Sequence, residues 1–123
     1  MSETQNNNEP LDVNNMNPND LRKLLDQALQ FGTDQDLENL FDRGMPIDQQ
    51  DWQGRTALMA AAHTGKKDLV IKLIQRGADV NKILMHHERV PLTALDAAQD
   101  KNRKEIIEIL LSHGSKTGRE LQA

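Results

Sequence analysis

The spacing of its glycines constrains this chain more than any other feature of the sequence. Gly44 and Gly77 stand 33 residues apart, and Gly77 and Gly114 stand 37 apart. Twelve residues before these lie Gly32, Gly65 and Asn102 in turn. Gly and Asn are the residues that most readily enter the left-handed conformation closing a helix, so Asn102 reads as a conservative stand-in. Apolar residues at helical spacing fill the intervals. Leu21, Leu24, Leu25, Ala28 and Leu29 share one face, with Asn19 or Asp20 expected as the N-cap after Pro18. Leu37, Leu40 and Phe41 mark a second helix and Leu58, Ala61 and Ala62 a third. Leu69, Val70, Leu73 and Ile74 mark a fourth, Leu95 and Ala98 a fifth, and Ile106, Ile107, Leu110 and Leu111 a sixth. Three successive helix-turn-helix units predict an all-α solenoid. No unit can bury its apolar face alone, and about three are the minimum for a stable array.

Composition agrees with thin layers of closely packed helices. One Trp, two Phe and no Tyr leave the interior to Leu, Ile, Val and Ala. The formal charge of -4 sits at the start: Glu3, Glu9, Asp12 and Asp20 have no Lys or Arg among them, and the remaining 15 acids match the 15 basic residues. A neutral body without a basic stripe offers little attraction to a phosphate backbone, which argues against nucleic acid as the ligand. Zero cysteines exclude a disulfide framework, a thiolate metal site and a thiol nucleophile. The first residues lack the basic and apolar segments of a secretory leader, and no apolar run approaches a membrane span. A monomer in the cytoplasm, away from membranes and with no cofactor, is expected.

The residues of the second unit name a family. Asp51-Trp52-Gln53-Gly54-Arg55-Thr56-Ala57-Leu58, Ala61-Ala62 and Gly65, followed by Gly77-Ala78-Asp79-Val80-Asn81, closely resemble the ankyrin repeat. Thr93 through Ser115 is similar over both helices, and the first unit is a degenerate copy ending in Met45-Pro46-Ile47-Asp48. The resemblance implies an ankyrin-type helical solenoid with β-hairpin or turn fingers. Its repeats would span about residues 19–48, 49–81 and 82–116, between an acidic, Asn-rich flexible tail at 1–18 and a C-terminal tail at 117–123. Leu11, Val13 and Met16 leave an alternative in which the end of the first tail packs on the first helix. The family's Pro after the Thr is Ala57 and Ala94 here, and its His is Met59 and Asp96. Losing that His removes bonds between neighbouring turns, so modest stability is expected, with Thr93 and Asp96 forming a compensating capping box.

Catalytic chemistry finds no purchase in the pattern. His86, His87 and Glu88 are types that bind zinc, but adjacent loop residues rarely converge on one ion, and an exposed polar loop is the simpler reading. Ser112 and Ser115 flank a helix end, where capping accounts for them. Glycine loops for phosphate are absent, since the seven glycines belong to the repeat pattern. The segment from Lys82 to Leu92 is about four residues longer than the family's turn. It is read either as a projecting finger or as an insertion whose Ile83, Leu84, Val90 and Leu92 fold back on the core. Trp52 is read either as an interface anchor or as a staple against the neighbouring finger. The resemblance implies a non-catalytic module that binds a protein partner through its fingers and concave helical surface. The expected contact residues are Trp52, Gln53, Arg55, Met59, His63, Met85, His86, His87, Glu88 and Arg89. An inhibitor or immunity-type protein that neutralises a toxin or enzyme is the alternative role, and a metal-dependent enzyme the remaining one.

Overall fold

The computed structural model describes residues 13–84 and 92–122. After a short 3-10 turn at Val13–Asn15 come α1 (Pro18–Phe31), α2 (Asp34–Asp42), α3 (Ala57–Thr64), α4 (Lys67–Gln75), α5 (Ala94–Asp100), α6 (Lys104–Ser112) and α7 (Gly118–Gln122). The first six form three pairs. α1, α3 and α5 make an inner row, and α4 and α6 pack side by side in the outer row with α2.

Each pair closes in the same way. Gly44, Gly77 and Gly114 all have positive φ, at 111°, 95° and 83°. The residue after each glycine donates its N–H to the carbonyl five residues back: Met45 to Leu40, Ala78 to Leu73 and Ser115 to Leu110. This satisfies carbonyls that the helix end would orphan. The inner marks behave alike in repeats 2 and 3, where Gly65 (φ 84°) and Asn102 (φ 56°) are both left-handed. Gly32 differs, with an extended φ of -87°. It is needed for space: a Cβ there would lie 2.8 Å from the Ala28 carbonyl oxygen.

The starts of α1, α2, α3 and α5 follow capping chemistry, whereas α4 and α6 have no side-chain cap. Thr33 with Asp36 and Thr93 with Asp96 form reciprocal capping boxes, and Thr56 accepts from the Met59 N–H. The cap of α1 is Asn17, not Asn19 or Asp20; its side chain accepts the Asp20 N–H at 2.8 Å. Pro18 takes the first helical position, where a missing N–H costs nothing, and this moves the start forward. Val13 is 2% exposed and belongs to the core, as the alternative reading of the sequence has it, whereas Leu11 lies outside the described residues. At the other end, the stretch expected as a tail carries α7. Thr117 and Glu120 cap it reciprocally, and Asp96 accepts the Gly118 N–H at 2.7 Å. Asp96 therefore restores, in repeat 3, a bond to the following turn that the family's His would make.

The core is a continuous file of Leu, Val, Ile and Ala, including Leu25, Leu58, Val70, Leu73, Leu95 and Leu110, none more than 2% exposed. Ala57, Ala61, Ala94 and Ala98 are buried along the inner row, where their small side chains let neighbouring helices approach closely. No β-strand occurs among the described residues. The turn at residues 49–56 is held by side chains, and the longer segment shows an antiparallel bridge between Leu84 and Leu92.

Candidate partner-binding surface

A groove of about 830 Å³ runs along the inner row. Leu29 of α1, Met59 and Ala60 of α3, Ala97 of α5, and Leu84 and Leu92 supply its apolar lining. Gln53, Arg55, His63 and Asp100 are among its polar residues. Pockets of this size and mixed character are typical of binding sites.

One buried carboxylate shapes the near wall. Asp51, 3% exposed, accepts the N–H groups of Gln53 and Arg55 at 2.9 and 2.8 Å, and the Arg55 guanidinium at 2.9 to 3.0 Å. Burying that charge is tolerable because every bond points at it. Arg55 also lies 3.9 Å from Asp26, so its charge is largely spent within the protein. The turn is coupled to the longer loop by Gln50, whose amide donates to the Gly54 carbonyl at 2.9 Å and the Ile83 carbonyl at 3.1 Å. Similar bonds continue down the stack: Asp79 N–H to Asp48, Ser115 Oγ to the Val80 carbonyl, and Asn81 with Gly114 and Lys116.

Four of the contact residues expected from the sequence come together here: Gln53, Arg55, Met59 and His63. Their exposures differ. Met59 is only 5% exposed and contributes to the lining instead of projecting. His63 stands 3.9 Å from Asp100 across the groove. Trp52, 54% exposed, is not in the lining; its ring lies under the guanidinium of Arg22 in α1, 5.9 Å away. Met85, His86, His87, Glu88 and Arg89 lie outside the described residues. Of the two readings of the longer loop, Leu84 follows the core-packing one and Leu92, 45% exposed, the projecting one. Asp96, Ala97 and Asp100 were not anticipated, although the repeat offset of 37 carries Met59, Ala60 and His63 onto them. Among the described residues no group of three or more side chains could hold a metal ion, and no helix is long and apolar enough to cross a membrane.

Comparison with known proteins agrees with this architecture. The family model for ankyrin repeats, in three copies, matches residues 24–120. The chain belongs to the ankyrin-repeat family. It is 31% identical over 98 residues to the B-cell lymphoma 3 protein homolog of Mus musculus, covering 80% of this chain and 18% of that protein. It is 30% identical over 82 residues to the potassium channel AKT2/3 of Arabidopsis thaliana, covering 67% of this chain and 10% of the channel. The chain thus spans less than a fifth of the length of these relatives. Ankyrin repeats are in general non-catalytic protein–protein interaction modules.

Proposed function

We propose that this ankyrin-repeat chain is a binding module that captures one protein partner, in the cytoplasm, through the inner groove and the loops that border it. The observation that carries the reading is the groove itself, apolar along α1, α3 and α5 and rimmed by the polar residues Gln53, His63 and Asp100. The loop leaving at Leu84 and returning at Leu92 would bring Met85, His86, His87, Glu88 and Arg89 to the partner, and Trp52 would extend the contact along the first turn. Zero cysteines suits a reducing compartment.

The test is capture of the partner by affinity purification, repeated with Ala60→Arg and Ala97→Arg. Both alanines are half-buried in the groove, so a long charged side chain obstructs it without entering the core. Each variant is expected to lose the captured protein while its thermal melt stays near wild type. Capture surviving both substitutions refutes the groove as the site.

A further inference from the structure

The face that repeat 1 turns away from the stack is built as a joint. Leu24, Ala28 and Phe31 on α1 follow at intervals of four and three, and so do Asp36 and Leu40 on α2 and its C-cap Arg43. Each set therefore forms one stripe on its helix, and the two stripes border a groove of about 410 Å³. Thirty-three residues on, the equivalent positions Ala57, Ala61 and Leu69 line a crevice shared with Ala28 and Leu37 of repeat 1. That surface is how repeat 2 receives its neighbour, and Arg76 completes it by donating to Asp42 at 2.8 Å. Arg43, the counterpart of Arg76, is exposed and has no charged partner among the described residues. Phe31 is 83% exposed at the other end of the groove.

We infer that this face docks on the same face of a second copy of the chain. α1 and α2 run in opposite directions, joined through Gly32 and Thr33, so Phe31 and Asp36 share one end of the groove while Leu24 and Arg43 share the other. A twofold axis through the middle, near Ala28 and Leu40, lays α1 antiparallel to α1 and α2 antiparallel to α2. Phe31 of each copy then covers Leu24 of the other, and Arg43 of each meets Asp36 of the other. Asp36 uses Oδ2 for the Thr33 N–H, leaving Oδ1 for a second donor. One acid and one base at opposite ends of an apolar stripe are complementary to themselves under a twofold, which is the requirement of an isologous interface. The end of a two-helix layer falls toward the small end of specific interfaces, so the dimer is weak and concentration-dependent.

Sedimentation velocity on the full chain tests the inference. The mass should climb from 13.9 kDa toward twice that value between about 10 µM and 1 mM. Phe31→Ala and Arg43→Asp, both at exposed positions, should each weaken association by roughly tenfold or more. Arg43→Asp and Asp36→Arg proteins should each remain monomeric alone yet dimerise when mixed, because mixing restores opposite charges at both ends of the groove. Asp36 also caps α2, so the mixing result counts once circular dichroism shows that variant folded. A monomer up to 1 mM overturns the proposal, and so does a dimer indifferent to both Phe31→Ala and Arg43→Asp.

Discussion

Between repeats 2 and 3, α5 lies along α3 and α6 against α4, with Ala94 and Ala98 buried. Between repeats 1 and 2, α1 touches α3 over a much shorter stretch, and the outer helices meet chiefly through charges. Lys66 pairs with Asp34 at 2.7 Å, Lys72 with Glu38 at 3.4 Å, and Arg76 with Asp42 at 2.8 Å and Glu38 at 3.6 Å. The ankyrin pattern is strong where packing dominates and degenerate where ion pairs take over. Exposed ion pairs contribute about 0 to 1 kcal/mol each and weaken with salt, whereas packed apolar surface does not. The first joint is therefore the one expected to open first.

The largest way to break the comparison is at the packed joint. Ala62→Leu or Ala98→Leu, both at positions with 0% exposure, overpacks the inner row at a cost of roughly 1 to 3 kcal/mol. Calorimetry should show the melting temperature falling by on the order of 5 to 20 °C. An unchanged melt would mean that the inner row is looser than its buried alanines indicate.

A smaller effect is expected at the charged joint. Arg76→Met removes the pairs to Asp42 and Glu38 at a cost of about 0.5 to 1 kcal/mol, discounted for the solvent around a side chain 30% exposed. Arg76 holds its proton more tightly than an ordinary arginine, first because of its hydrogen bond to Asp42, so the joint keeps this charge at any working pH. Amide exchange in α2 should quicken by about two- to fivefold while α6 stays unchanged. Molar salt should reproduce that pattern in the wild type, since the screening length falls to about 3 Å. Equal acceleration in both helices would erase the distinction between the joints.

The smallest effect is at α7. Glu120 titrates below the usual carboxylate range, first because it accepts the Thr117 N–H and next because of the Thr117 side chain. A depressed pKa means that the cap supports α7 while the carboxylate is ionised and is lost as pH falls through the folded value. The Thr117 amide resonance should move with a midpoint below 4.5. A midpoint at or above that value would show the cap to be open in solution.

Most of the fold is legible in the sequence because each helix carries its own period and its own stop signal. Asn102 was readable as left-handed from its register against Gly65. Gly32 was readable as a helix end but not for the right reason, since local sequence carries no information about how near the Ala28 carbonyl would come. Val13 was legible only as an alternative and α7 escaped, because short segments show too few periods and are ordered by the surface they meet. For the site, repeat register leads to the lining from α3 and α5, whereas the distance of Trp52 from it depends on where Arg22 stands, and only tertiary packing sets that.

The Gln50 amide, shared between the carbonyls of Gly54 and Ile83, acts as a tie rod between the two loops. Through this side chain the position of one cleft edge is referenced to the other, so Gln50→Ala is expected to loosen both loops together.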